Sequence, residues 1–293
     1  TTGIAGLSLA VSGITSAAFS PDNGTIALAG RDGRLQLRNA ESGADKGVRN
    51  LGTALSAVRF APDGRSVAVA AEGGEILLLD LAKEREIWRR KIHDSPIAGL
   101  AFSPDGRYLL SASTSGNIEV TSVLSGSSVQ RLPVGGLPIR DAIYSPDGRY
   151  ISVMQGEGRS NLVRVLEVGN GRERLSVAAA VASFSVNGKY LLVASGGHTP
   201  TLFDIASGDE LRRFARYPVQ ILAGAYAESG QFVATVDSEG QGQMLDTKDG
   251  RSVAQAGGPR VPARYAAFSS DVARFVVIDG EGRATLHRFE GKP

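Results

Sequence analysis

A short motif recurs along the whole chain at an almost constant spacing. Its anchor is an aromatic residue directly before a turn. Successive anchors are 40 to 42 residues apart, and the seven of them are Phe19, Phe60, Phe102, Tyr144, Phe184, Tyr226 and Phe268. A period of this length is typical of proteins built from repeated structural units. The sequence therefore consists of seven copies of one unit.

The turn after each anchor is almost identical in the first four copies and less regular in the last three. In chain order it is SPDNG, APDGR, SPDGR, SPDGR, SVNGK, AESGQ and SSDVA. Pro followed by Asp or Asn and Gly favours a tight reversal of the backbone, and short segments rich in Val, Ile, Leu and Tyr follow it, such as TIALAG and YLLSAS. A second turn, a third strand, a third turn at a small residue and a more variable fourth strand complete each copy.

Four antiparallel strands about every 42 residues are typical of a β-propeller blade. We therefore predict an all-β fold, a seven-bladed β-propeller that spans residues 1–293 as a single domain. The last copy has room for only three strands, whereas residues 2–12 lie where a fourth strand would lie before the first copy. We expect this N-terminal segment to form the outer strand of the last blade, which closes the ring and covers an exposed sheet edge.

The ends of the third strands resemble those of the WD-repeat family. In that family the third strand typically ends in a Trp-Asp pair, and the matching pairs here are Leu79-Asp80, Phe203-Asp204 and Leu245-Asp246. The pattern is degenerate, because the single tryptophan lies in a fourth strand and the family's Gly-His pair is echoed only by His93. TolB-like propellers also carry SPDG-type turns. The resemblance implies a WD-repeat-like β-propeller that acts as a scaffold for larger assemblies.

Charge and composition exclude several classes of partner. The formal net charge is +2, and the 32 basic and 30 acidic residues are mixed along the chain with no basic tail. Nucleic acid binding is not expected, because this charge distribution contains no basic patch. Membrane insertion is not expected either, because no apolar run approaches the roughly 20 residues of a membrane span. The absence of cysteine suits a reducing cytoplasm, which is the favoured compartment, but it is also allowed in a periplasm, so the compartment is left open.

The sequence contains no recognisable catalytic, metal-binding or cofactor-binding motif. Its three histidines, His93, His198 and His287, lie in three different copies, so a metal site would need all of them to converge. The glycine patterns GEGR and GQGQ lack the strand-to-helix context of a dinucleotide site and fit hairpin turns. We therefore expect no catalytic residue, no metal and no cofactor, and a protein that is not an enzyme.

The two faces of the predicted ring differ in sequence. The SPDG turns on one face are nearly uniform, whereas the second turns and the connections between copies, on the other face, vary and carry large or charged groups. We expect a monomeric propeller that binds a protein or peptide partner through the variable set, whose candidate residues are Arg31, His93, Arg159, His198, Tyr217, Arg260, Arg264 and Arg283.

Two other functions are compatible with the same fold. The chain could serve as a regulatory or sensing domain of a larger, for example bacterial, enzyme. It could instead be a propeller enzyme or ligand-binding domain. That function would need polar groups converging on the central channel, and small and aliphatic residues dominate the first strands there.

Overall fold

The computed structural model describes residues 6–289 apart from 133, 136, 158–159, 196–197, 228 and 258–259. Over this part of the chain, 28 strands form seven four-stranded antiparallel sheets arranged as blades in a ring. The predicted seven-bladed propeller is therefore confirmed. In the same residues, no helix is long and apolar enough to cross a membrane.

The strands follow the chain in groups of four, except that the first belongs to the last blade. That strand is β1 (Leu7–Ser8). Blades 1 to 3 contain β2 (Ile14–Phe19), β3 (Thr25–Gly30), β4 (Arg34–Asn39), β5 (Asp45–Asn50), β6 (Leu55–Phe60), β7 (Ser66–Ala71), β8 (Glu75–Asp80), β9 (Arg85–Lys91), β10 (Ile97–Phe102), β11 (Tyr108–Ser113), β12 (Ile118–Ser122) and β13 (Ser128–Leu132).

Blades 4 to 7 repeat the same order. They contain β14 (Ile139–Tyr144), β15 (Tyr150–Glu157), β16 (Ser160–Glu167), β17 (Glu173–Val177), β18 (Ala179–Phe184), β19 (Tyr190–Ser195), β20 (Thr199–Asp204), β21 (Glu210–Arg213), β22 (Ile221–Tyr226), β23 (Phe232–Asp237), β24 (Gly242–Asp246), β25 (Ser252–Ala256), β26 (Ala263–Phe268), β27 (Arg274–Asp279) and β28 (Ala284–Arg288).

The N-terminal strand closes the ring, as predicted. In the last blade the strand order is β1-β28-β27-β26, with Leu7 opposite Leu286 and Ser8 opposite Thr285. The amide of Leu9 extends this ladder by donating to the carbonyl of Ala284 at 3.0 Å. The paired segment is thus short, and residues 2–5 of the predicted strand lie outside the described residues.

The hydrophobic core lies between neighbouring blades. One cluster joins Leu35 of blade 1 to Leu55 and Leu77 of blade 2, all of them buried. The second strands are buried along almost their full length, because each sheet is packed against a neighbour on both faces. This explains why these strands are apolar runs without polar alternation.

Outer strands also contact the third turn of the next blade. The indole Nε1 of Trp88, in blade 2, donates to the carbonyl of Val123 in blade 3 at 2.8 Å. A Cβ at Gly126 in that turn would lie 3.0 Å from the same indole, and Gly126 also has a φ of 69°. Across the closure, Leu7 approaches Gly43 of blade 1 in the same way. Glycine at this turn is therefore needed both for its conformation and for the contact with the neighbouring blade.

The SPDG turn is held by a small network of its own side chains. In blade 3, the Ser103 hydroxyl donates to Asp105 Oδ1 at 2.6 Å and accepts the amide of Tyr108 at 2.9 Å. Hydrogen bonds from Ser103 and from the amide of Arg107 lower the pKa of Asp105. Gly106 completes the turn with a φ of 70°.

Replacing Gly106 by Val is expected to destabilise the protein by about 1–3 kcal/mol, because a β-branched residue resists this backbone conformation. A Cβ there meets only the ring of Pro62 at 3.8 Å, so the cost arises from the backbone and not from a clash. Urea unfolding measures the change. Gly73→Val is the matched control, because Gly73 has open space and no left-handed φ. Equal stability of the two variants would contradict this account.

Candidate functional site

Second turns and inter-blade connections form one face of the ring. The amide of Arg31, in the second turn of blade 1, donates to the carbonyl of Gly13 in the preceding connection at 2.9 Å. The amides of Glu72 and Thr114 make the equivalent bonds in blades 2 and 3. We call this surface the variable face, and the surface that carries the SPDG turns the SPDG face.

Two of the candidate residues point into the protein. His93 Nε2 lies 2.8 Å from the hydroxyl of Ser111, and the Tyr217 hydroxyl lies 2.7 Å from Thr235 Oγ1. Both are buried, and burial lowers the pKa of His93 and raises that of Tyr217 to about 12. Ser111 and Thr235 both lie nine residues after their anchors, so these contacts tie a connection to the second strand of the following blade. Their side chains do not belong to the accessible surface.

His198 is half-buried in the second turn of blade 5. Its carbonyl accepts a hydrogen bond from the amide of Tyr217 at 2.8 Å, while its buried Nδ1 atom has no hydrogen-bond partner in the part of the chain that the structure describes. The histidine therefore supports the connection that carries Tyr217. Arg159, another candidate, lies outside the described residues.

Two candidate arginines are engaged in ion pairs on the variable face. Arg260 Nη1 lies 2.6 Å from Glu239 Oε2. Arg283 Nε lies 2.7 Å from Asp279 Oδ2, and its Nη1 lies 3.0 Å from Glu281 Oε2. Because each guanidinium already has a carboxylate partner, these residues contribute little net positive charge to the surface.

Arg31 and Arg264 are the exposed candidates whose side chains have no ion pair or hydrogen bond with any described residue. A continuous line of contacts joins them. The Arg264 side chain lies beside Gly280. Gly282 is packed against Gly13, since a Cβ at Gly282 would lie 2.8 Å from the Cα of Gly13. The carbonyl of Gly13 in turn accepts a hydrogen bond from the amide of Arg31. The variable face over blades 7 and 1 thus carries, on a glycine-lined surface, two cations without a side-chain partner among the residues described.

A second group of polar side chains meets in the central channel. Arg59, Asp141 and Tyr265 come from the first strands of blades 2, 4 and 7. Arg59 Nη1 donates to the Tyr265 hydroxyl at 3.2 Å, and Arg59 Nη2 lies 3.9 Å from Asp141 Oδ1. The Tyr265 hydroxyl in turn donates to the carbonyl of Ala17 in blade 1 at 3.1 Å. These contacts therefore link the first strands of blades 1, 2, 4 and 7.

The channel cluster is enclosed but still accessible. The Arg59 and Asp141 side chains are 22% and 27% exposed. Burial raises the pKa of Asp141, and the nearby Arg59 guanidinium opposes part of that rise. Burial also disfavours the charged form of Arg59, but Tyr265 and Asp141 outweigh it and raise the pKa of Arg59. The separation of 3.9 Å between Arg59 Nη2 and Asp141 Oδ1 exceeds a hydrogen bond, so the two groups interact as an ion pair without one.

Sequence reasoning missed this cluster, because small residues occupy most of the first strands. The signal was nevertheless present in the repeat alignment. The residue three before the anchor is small or aliphatic in five copies, but it is Asp141 in blade 4 and Tyr265 in blade 7. Reading the copies column by column would have identified these two exceptions.

The described residues contain no group of three or more His, Cys, Asp or Glu side chains that could hold a metal ion. His287 lies in the third strand of blade 7, buried and stacked on Phe275 with ring centroids 5.0 Å apart. It contacts the core and faces neither the channel cluster nor the free arginines.

Comparison with known families agrees with the repeat. A family model described as WD domain, G-beta repeat, matches residues 8–39 and 85–122. Each match covers part or all of an outer strand and the first three strands of the following blade. The sequence has no match among curated proteins. The WD-repeat resemblance is thereby confirmed; propellers of this kind are typically interaction scaffolds and generally not enzymes.

Proposed function

We propose that this chain is a non-catalytic scaffold that binds a protein partner on its variable face, over blades 7 and 1. The observation that supports it best is the pair of exposed arginines, Arg31 and Arg264, whose side chains have no partner among the described residues. Arginine is enriched among the residues that dominate binding energy at protein interfaces. A free guanidinium can form bidentate contacts with a partner without first breaking an internal ion pair.

The rigidity of the underlying scaffold favours the same assignment. The Arg31 turn is bonded to the connection before β2, and Arg264 belongs to β26 itself. Side chains on backbone that is already fixed lose less entropy on binding than side chains on a mobile loop. On the SPDG face, by contrast, the aspartates are used within their own turns, as the Ser103 and Asp105 pair illustrates.

Replacing Arg31 and Arg264 together by Glu is expected to weaken partner binding at least tenfold, or by about 1.4 kcal/mol, without changing thermal unfolding. The matched control is Arg65→Glu with Arg107→Glu, which makes the same change of charge on exposed residues of the SPDG face. Proteins retained by each immobilised variant are quantified by mass spectrometry, and the affinity of those that are recovered is then measured in solution.

The two double variants separate the faces. A partner lost only by the Arg31 and Arg264 variant agrees with the proposal. A partner lost only by the control, or equally by both variants, would contradict the assignment of the binding face.

A further inference from the structure

A cleft of about 500 Å³ lies on the SPDG face of blade 4. One wall is the SPDG turn at residues 148–150, and the other is the third turn at residues 167–170. Tyr150 and Val168 line the cleft, and both are half-buried, so it contains apolar surface as well as backbone groups. This volume lies within the range of sites that bind small molecules.

The third turn is normally capped by a side chain of its first residue. In blades 4 and 5 the glycine that ends the turn donates its amide to the carbonyl of that first residue, at 2.8 Å and 2.9 Å. In blade 5 the first residue is Asp204, whose Oδ1 atom accepts the amides of Ala206 and Ser207 at 2.9 Å and 3.0 Å. Side chains in three other blades accept at least one of the matching amides, namely Asn39, Asp80 and Asp246.

The third turn of blade 4 lacks this cap. Its first residue, Glu167, is one methylene group longer than aspartate, and both of its carboxylate oxygens are bonded elsewhere. Oε1 accepts Arg174 Nε at 2.6 Å, and Oε2 accepts Asn170 Nδ2 at 2.7 Å. The amides of Gly169 and Asn170 therefore have no acceptor among the described residues, and both residues line the cleft. Because the turn is bonded as in blade 5, these amides point to the place that an aspartate oxygen occupies there.

Positive charge surrounds the uncapped amides. Arg149 lines the cleft with a side chain that is 78% exposed, and the carboxylate paired with it lies 3.9 Å away, beyond a hydrogen bond. Hydrogen bonds from Asn170 and Arg174, together with the charge of Arg172, lower the pKa of Glu167. Glu167 is thus ionised and compensated by Arg174, whereas Arg149 remains available to a bound anion.

Blade 3 provides a comparison within the same chain. Its third turn begins with Ser122, so it has no aspartate cap either. However, Leu124 takes the position of Gly169 and is 91% exposed, and Ser127 and Val129 take the positions of the two arginines that follow the turn of blade 4. Blade 4 therefore combines free amides with an unobstructed turn and nearby cations, whereas blade 3 does not.

We propose that the cleft of blade 4 binds a small organic carboxylate. The ligand carboxylate accepts the amides of Gly169 and Asn170 in place of the missing aspartate oxygen, and Arg149 pairs with its charge. The apolar body of the ligand lies against the tyrosine and valine of the cleft. A singly charged group is favoured, because the carboxylate of Glu167 repels a phosphate dianion more strongly. The site lies on the face opposite to the proposed partner surface and adds ligand binding to the scaffold.

Phenylacetate is the probe, because it joins one carboxylate to an apolar ring. Saturation-transfer difference NMR with the intact chain is expected to show saturable binding. Uncharged 2-phenylethanol is expected to bind about tenfold more weakly. Arg149→Ala should weaken phenylacetate binding by about threefold or more, whereas Arg107→Ala, at the equivalent position of blade 3, should leave the Kd unchanged.

Two substitutions of Glu167 are expected to act in opposite directions. Glu167→Asp recreates the first residue of the blade 5 turn, so the new carboxylate should cap the two amides and weaken phenylacetate binding by about tenfold without lowering thermal stability. Glu167→Gln removes the neighbouring negative charge, and binding should tighten by about threefold, a gain that an unfolded protein cannot give. Glu72→Asp and Glu72→Gln, at an exposed residue of the variable face, are the matched controls.

Each result decides for or against the site. Absence of saturable phenylacetate binding, or an unchanged Kd in a folded Glu167→Asp variant, would overturn the role of the uncapped amides. Weaker binding by a folded Glu167→Gln variant would overturn the placement of the carboxylate beside Glu167. Inorganic phosphate that binds with the same dependence on Arg149, when phenylacetate does not, would overturn the organic ligand. Partner capture through Arg31 and Arg264 is independent of all these outcomes, because those residues lie on the other face.

Discussion

Deletion of residues 1–9 is expected to lower the free energy of unfolding by more than about 3 kcal/mol and to make the protein associate. The deletion removes β1, which pairs with β28, and it removes Leu9, which is 2% exposed in a core cluster shared with Ile14 and Leu286. It also leaves the outer edge of β28 open for pairing with another chain. Thermal unfolding and light scattering after size-exclusion chromatography measure the two effects.

Point variants separate burial from edge protection. Leu9→Ala retains the strand but creates a cavity, and it should cost about 2–5 kcal/mol without association. Leu7→Ala, at a side chain that is 42% exposed, should cost less than about 1 kcal/mol. A truncated protein that stays monomeric with unchanged thermal unfolding would refute closure by this strand.

Acidification is expected to destabilise the fold through His287, by about 3 kcal/mol between pH 6.5 and pH 4. Burial lowers the pKa of His287 from 6.5 to about 4, and its Nδ1 has no hydrogen-bond partner within residues 6–289 as the structure describes them. In this window the unfolded chain binds a proton that the folded protein does not, so stability is retained near neutral pH and decreases as the pH falls. Urea unfolding at a series of pH values measures the slope.

His287→Leu isolates this contribution from that of other groups. The variant removes the titrating ring from an apolar site against Phe275, so its stability at pH 7 should remain close to that of the parent protein. Between pH 6.5 and pH 4 it should lose about 3 kcal/mol less than the parent. Parallel pH profiles for the two proteins would show that His287 is not the group responsible.

The fold could be predicted from the sequence because each copy of the repeat contains the same local signals for strands and turns. An aromatic anchor, a turn with Gly at positive φ and a short apolar strand are local features, and their period determines the number of blades. Blade 4 is longer than the other copies at the segment QGEGRSN, between its second and third strands. There β15 and β16 each extend to eight residues, so the backbone groups of this longer segment pair in a ladder.

The direction in which a connection side chain points could not be predicted from the sequence. In the sequence, His93 and Tyr217 resemble surface residues of a variable segment. In the structure their side chains point inward, because each forms a hydrogen bond with a hydroxyl on the neighbouring second strand, that of Ser111 or Thr235. The channel cluster depends on contacts between residues as far apart as Arg59 and Tyr265. Local pattern does not encode which first strands face one another across a ring.

The ladder between Leu7 and Leu286 also imposes an order of events during synthesis. Every other sheet pair joins strands that are consecutive in the chain, so each can form soon after its residues leave the ribosome. β1 is made before any of them, yet its partner is translated last. Throughout elongation the nascent chain therefore carries an unpaired strand with the apolar residues Leu7 and Leu9, which nascent-chain binding factors can shield until the final blade emerges.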